Sequence, residues 1–332
     1  MLSDKREVGT IQYLRAIAAL AVVGFHISET YGLGLQAGAA GVDIFFVISG
    51  FIMWVTTNDR RMTPGDFLWR RIRRIVPLYW IVTVTTFALA SWKPQFFFGA
   101  VVTLVNLAGS LVFLPVIHDD ALKPIVMQGW TLSYEMFFYL VFSITLVFQG
   151  KKRLICLLGL LFAIVAFHPF AGEGYAAIFS EPIILEFAAG LAIGALWTSG
   201  WRMPFFIALA AAIVGLLMFP LMDLAAPHLD RALRWGVPAG LLLLGVVFME
   251  RERTAPHLPL LHYLGDASYS IYIWHVLAGI VVTAILLRAS APLVLQAPVI
   301  FVGSVLLSLA GYHFVERPLL RVFQSARKPA LG

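Results

Sequence analysis

Apolar runs of roughly 17 to 22 residues recur along the whole chain, parted by short polar stretches. That rhythm predicts membrane-crossing helices, because about 20 residues at 1.5 Å each cover a hydrocarbon core of about 30 Å. The runs fall at 11–28, 41–57, 75–91, 131–149, 153–170, 182–197, 204–223, 235–249, 268–287 and 294–314. The expected fold is all-α, a polytopic membrane helical bundle of about ten transmembrane helices, with residues 1–332 forming a single integral-membrane domain. An eleventh run, FFFGAVVTLVNLAGSLVFLP at 96–115, is interrupted by Gly99, Asn106 and Gly109 and could either cross or lie along the outer surface.

The cations decide between those two choices. With ten crossings, 18 of the 24 Lys and Arg fall on the side of the termini and five on the other, with Arg15 inside a span. If 96–115 also crossed, the division would become 12 to 11 and the positive-inside asymmetry would vanish. We therefore expect both termini in the cytoplasm, a basic cytoplasmic linker at 58–74, and an outer-side re-entrant or interfacial segment at 96–117.

Composition agrees with the pattern. The chain is 60% hydrophobic and 13% charged, with a mean hydropathy of +0.87, which excludes a water-soluble globular domain of this size. Its net charge of +6 reflects topology rather than a nucleic-acid surface, so the expected partner is the lipid bilayer and no nucleic acid. The lone Cys156 can form no intramolecular disulfide. Arg15 interrupts the first apolar run, which is read as a retained helix rather than a cleaved signal peptide.

Ionisable residues inside apolar spans are costly and point to function. Arg15 and His26 are eleven residues apart, close to three turns, so they share a helix face about 16 Å apart along the axis. Either that face lines a passage, or the two side chains snorkel to opposite interfaces. Asp43 in GVDIFFVISGF and Glu135 in GWTLSYEMFFY are expected in the same outer layer as His26. A carboxylate there would orient an imidazole, or would merely complement a helix dipole. In FLWRRIRRIVPLYW, Arg70, Arg73 and Arg74 share a helical face with Arg71 beside it. The cluster suits a polyanion carrying several phosphates, or serves topology and anionic lipid binding. YSIYIWH puts His275 mid-membrane with Tyr269 and Tyr272 on neighbouring turns, and Trp130 precedes Glu135 at an interface. No metal-ligand spacing occurs, so the chemistry is expected to need no metal.

Taken in order, YLRAIAALAVVGFH, GVDIFFVISGF, RRIRRIVPLYW, WTLSYEMFFY and YSIYIWH resemble the membrane-bound acyltransferase 3 family, most closely the rhizobial exopolysaccharide O-acetyltransferases. The resemblance implies about ten helices in a bacterial inner membrane and acetyl transfer from cytoplasmic acetyl-CoA, the acyl-CoA co-substrate. The acceptor would be a hydroxyl of a glycan or a lipid-linked oligosaccharide, with polysaccharide assembly machinery a candidate partner. It places the family's R-x10-H pair on Arg15 and His26, its R-x-x-R element on Arg70 and Arg73 with an overlapping copy at Arg71 and Arg74, and its Trp/Glu motif at Glu135. His26 would then be the general base, with Asp43 or Glu135 orienting it, Arg15 along the donor's route, and Trp130, Tyr269 and His275 in support. The SGNH-type domain of some family members does not follow in this sequence, which would leave acceptor handling to the membrane domain. The alternative is a transporter or flippase for a lipid-linked sugar or small anion, using Arg15, His26 and His275 as a path. The lack of an internal repeat and the one-sided arginine cluster count against it.

Overall fold

The computed structural model describes residues 8–58, 60–97, 99–253 and 256–325. Lys5, Arg6, Arg327 and Lys328, four of the cations in the topology argument, lie outside the described residues. The helices are α1 (Gly9–Tyr31), α2 (Gly41–Thr57), α3 (Pro64–Trp92), α4 (Leu104–Leu111), α5 (Trp130–Thr145), α6 (Gly150–Phe167), α7 (Tyr175–Ile178), α8 (Ile184–Thr198), α9 (Phe205–Ala225), α10 (Val237–Glu252), α11 (Pro259–Asp266), α12 (Ser268–Arg288), α13 (Leu293–Gly311) and α14 (Arg317–Ser325). The protein is an all-α polytopic membrane protein. Among the described residues, eight helical segments are long and apolar enough to cross a bilayer. The expected spans at 131–149 and 182–197 correspond to α5 and α8, of 16 and 15 residues. At 1.5 Å per residue these reach only about 24 and 22 Å.

The run at 96–115 contains only the eight-residue α4, about 12 Å long and too short to cross. Asn106 is what holds this segment in place. Its amide donates to Val101 O (2.7 Å) and Lys123 O (2.8 Å) and accepts from Val116 N (3.0 Å), so one buried side chain ties the helix to the following hairpin of β1 (Ile117–His118) and β2 (Ala121–Leu122). The expected basic linker at 58–74 is helical from Pro64 onward and continuous with the span that follows it. Thr63 caps that helix by accepting from Asp66 N at 3.1 Å, with Pro64 in the first turn, where its missing N–H costs nothing.

The chain forms two compact units. The first comprises Met1–Phe25, Gly32–Arg60 and Leu185–Ser268. Its core includes Val47, Phe51, Ala208, Ala239, Val247 and Phe248. Here α2 and α8 approach backbone to backbone. A Cβ on Gly190 would lie 2.0 Å from Val47 O, and one on Gly50 2.2 Å from Phe187 O. In lipid, where apolar contact alone does not drive helices together, such small-residue seams allow close packing. In the same unit Glu250, near the end of α10, accepts from Gly9 N at 2.9 Å at the start of α1.

The second unit comprises His26–Tyr31, Arg61–Ile184 and Tyr269–Gly332. In it α3 packs on α4, α5 and α14, and α5 packs on α6. Phe67, Phe138 and Phe142 are fully buried between these helices.

Candidate active site

Of the candidate residues, all but Arg15 and Asp43 fall in the second unit. The chemistry there is arranged along three helices. Tyr269, in the first turn of α12, donates to Ile75 O of α3 at 2.8 Å. One turn further along α12, Tyr272 meets Thr131 Oγ1 at 2.8 Å and donates to Gln128 O at 3.2 Å. The adjoining Gly129 lies against Tyr79 of α3, whose hydroxyl would be 3.0 Å from a Cβ there. Thus α3 and α12 advance together, from Ile75 and Tyr269 to Tyr79 and Tyr272. The third helix, α5, runs the other way. It begins beside Tyr272 at Thr131 and reaches α3 near its start, where Phe67 meets Tyr139 and Phe142 at centroid distances of 5.9 and 4.9 Å.

At the lower end of this ladder, in chain order of α3, lies the arginine cluster. Arg70, Arg71 and Arg73 are half-buried and Arg74 is exposed. Arg71 lies over Phe67 (5.8 Å) and Tyr139 (6.0 Å). Arg73 spends one terminal nitrogen on Phe323 O at 3.0 Å and stacks on Trp69 at 5.4 Å. The Nε–H groups of Arg70, Arg71 and Arg73 are buried and have no hydrogen-bond acceptor. Buried donors normally find partners. Three forked cations with open donors in four residues are suited to an anion with several oxygens. Arg153, at 5.7 Å from the Phe142 ring, joins the cluster through the same aromatic stack; the sequence reading counted it only as a topological charge.

At the upper end, His26 and His275 stack, with ring centroids 5.3 Å apart and planes inclined by 25°. His275 is buried and its Nδ1 lies 2.7 Å from Tyr272 O. A carbonyl can only accept, so Nδ1 carries the proton and Nε2 presents its lone pair. His26 is more open, with 22% of its side chain exposed, and its Nδ1 is 3.6 Å from Glu29 Oε2. That is an ion-pair separation rather than a hydrogen bond.

The remaining candidates lie elsewhere. Glu135 accepts from the Tyr139 hydroxyl and interacts electrostatically with Arg71. It sits part-way down α5, between the Thr131–Tyr272 contact and the Tyr139–Phe67 contact, rather than at the level of the imidazoles where its place in the apolar run put it. Trp130 packs edge-on to Tyr134 at 5.8 Å, and Tyr134 donates to Ile178 O and Glu181 Oε2. Arg15 donates to Gln12 Oε1 at 3.3 Å.

Asp43, fully buried, is gripped by Arg231 through two bonds, Nε to Oδ1 (3.0 Å) and Nη2 to Oδ2 (2.7 Å), and Nη2 also reaches Ala39 O. Both oxygens of the Asp43 carboxylate are thus engaged by Arg231, whereas Glu29, on the same helix as His26, is a carboxylate near the His26 ring. Arg231 was visible in the sequence only as an outer-side cation. Among the described residues, no group of three or more His, Cys, Asp or Glu could hold a metal ion.

Residues 8–313 match the acyltransferase domain of the acyltransferase 3 family. The chain belongs to the acyltransferase 3 family. As a member of that family it is an acyltransferase, and the ladder just described is its candidate active site. Its relatives include the exopolysaccharide production protein ExoZ of Rhizobium meliloti (strain 1021), 38% identical over 314 residues, covering 92% of this chain and 97% of that one. The membrane-bound transacylase BcsY of Komagataeibacter xylinus, named as putative, is 28% identical over 336 residues, covering 92% of this chain and 81% of that protein. The peptidoglycan O-acetyltransferase OatA of Listeria monocytogenes is 24% identical over 362 residues, covering 95% of this chain but only 56% of the relative. No solved structure matches the chain.

Proposed function

We propose that this acyltransferase moves an acetyl group from cytoplasmic acetyl-CoA to a hydroxyl of an exopolysaccharide, another surface glycan or its lipid-linked precursor, in a bacterial inner membrane with both chain termini in the cytoplasm. One observation carries the reading: the open-donor arginine cluster and the His26–His275 pair lie at two ends of one polar ladder within a single unit. From Arg71 to Ile75 is about 6 Å along α3, and from Tyr269 to His275 about 9 Å along α12. A phosphate-bearing donor with a long, amide-containing arm spans such a separation, with its phosphates at the guanidinium groups and its thioester near the imidazoles. The names of the relatives, which speak of exopolysaccharide production and peptidoglycan O-acetylation, support a glycan acceptor.

In this mechanism His26, the more open imidazole, takes the proton of the acceptor hydroxyl as its oxygen attacks the thioester carbonyl. The carbon–sulfur bond breaks, the acetyl ester forms, and the proton passes from the imidazole to the departing thiolate to give free CoA. Glu29, beside Nδ1, would steady the ring while it carries charge, as a carboxylate does in other imidazole-base sites. The competing route forms an acetyl-imidazole on His26 first.

The test is release of free CoA by the purified full chain given acetyl-CoA and glycan. Glycan-dependent release is expected, with initial-rate patterns of a sequential reaction. Ping-pong patterns would replace direct attack with the acetyl-enzyme, and absence of CoA release with competent glycan would overturn the donor assignment.

A further inference from the structure

The upper end of the ladder holds more unused hydrogen-bonding capacity than the mechanism consumes. His275 is 3% exposed, its Nδ1–H is committed to Tyr272 O, and its Nε2 has no hydrogen-bond partner. Within one turn of α12 there is a second such atom. Gln128, 2% exposed, donates its Nε2 to Ile273 O at 2.6 Å, which fixes the orientation of the amide and leaves Oε1 facing no donor. A buried acceptor left unmatched is unfavourable, and here two acceptors, each on a side chain locked by a backbone bond at its other end, lie within one turn of α12, the first of them on the ring stacked against the base. A ligand complementary to both would be a neutral chain carrying N–H donors. The phosphates of the donor are the wrong chemistry, being acceptors themselves, and so is the thioester carbonyl.

Resting on the reading of acetyl-CoA as donor, we propose that His275 is a binding residue for the acyl donor: its Nε2 accepts a hydrogen bond from the amide N–H of the donor's arm nearest the sulfur, and so holds the thioester beside His26. Gln128 Oε1 is the neighbouring acceptor for the arm's second amide. His275 takes no proton in the reaction. Its stacking on His26 places the bound amide within reach of the base, so that fixing the amide also fixes the carbonyl to be attacked.

The experiment uses the purified full chain with glycan and two donors, acetyl-CoA and its analogue in which that amide is replaced by an ester, which keeps the carbonyl and removes the N–H. For the unaltered protein the analogue should show a KM about tenfold higher, the effect of one unmatched buried acceptor. In His275→Leu the KM for acetyl-CoA should rise by about the same factor, and the two donors should become indistinguishable. His275→Asn, which keeps an acceptor, should restore part of the discrimination. An unaltered protein indifferent to the N–H would overturn the proposal even if the leucine variant failed to fold. A leucine variant that still discriminated, or that lost kcat equally with both donors, would overturn it too. If the unaltered protein released no CoA at all, the donor assignment itself would have failed, a different result from CoA release without discrimination.

Discussion

Replacing Arg70 and Arg73 together by alanine tests whether the cluster on α3 binds the donor or only satisfies topology. Hydrogen bonds to charged groups contribute about 1.5 to 3 kcal/mol each. Both side chains are half-buried, so part of that is lost to screening, and removing two of four neighbouring cations relieves their mutual repulsion. Arg73 also spends one donor on Phe323 O, which the substitution sacrifices without affecting a ligand. About 1 kcal/mol per arginine is a reasonable net value after these deductions, and at 1.4 kcal/mol per factor of ten the double variant should raise the KM for acetyl-CoA by about thirtyfold. The value of kcat at saturation should stay within about twofold, because the phosphates are far from the reacting carbonyl and bind alike in ground and transition states. Initial rates of CoA release across a range of donor concentration measure both constants. Raised ionic strength should narrow the gap between parent and variant. S-acetylpantetheine, which lacks the nucleotide and its diphosphate, supplies the control, since its KM should be nearly unaffected. An unchanged KM for acetyl-CoA, or equal losses with both donors, would refute the phosphate-binding assignment and return these arginines to topology and lipid contact.

Other expectations follow from the same geometry. His26→Ala should lower kcat by about 10² to 10⁴, the usual contribution of a general base, while acetyl-CoA binding measured by calorimetry stays near that of the parent; full activity would remove the base. Arg231→Met leaves the Asp43 carboxylate buried and unpaired and should cost about 3 to 5 kcal/mol, read as an earlier thermal unfolding midpoint in detergent. The pair Arg231→Met with Asp43→Leu should recover most of that loss, and equal midpoints for single variant and parent would refute a structural ion pair. Reporter fusions after residues 120 and 151 should report the outer and the cytoplasmic side respectively, because no crossing is expected at α4 and one is expected at α5; the reverse assignment, or the same side for both, would overturn the ten-crossing topology.

Much of this protein is determined locally. The cost of moving a polar or apolar side chain into hydrocarbon is a property of each residue, so the apolar runs, the place of the basic turn before Ile75 and the oddity of His26 within α1 can all be read along one dimension. The cation count also disfavours a crossing at 96–115, and the structure has there the eight-residue α4 with its Asn106 hub. Helix ends are less legible: α5 stops short of the end of its apolar run, α8 begins two residues inside its own, and the linker before Ile75 is already helix.

Only the tertiary structure decides which buried polar groups meet. Asp43 and Glu135 lie at similar depths by sequence arithmetic, yet Arg231 takes the first and Tyr139 with Arg71 the second, because partner choice depends on helix rotation and crossing angle, which small-residue seams and aromatic packing set. The same holds for the stack of His26 on His275. Each is a residue whose own position announces only that it must have a partner, and it takes the fold to supply one.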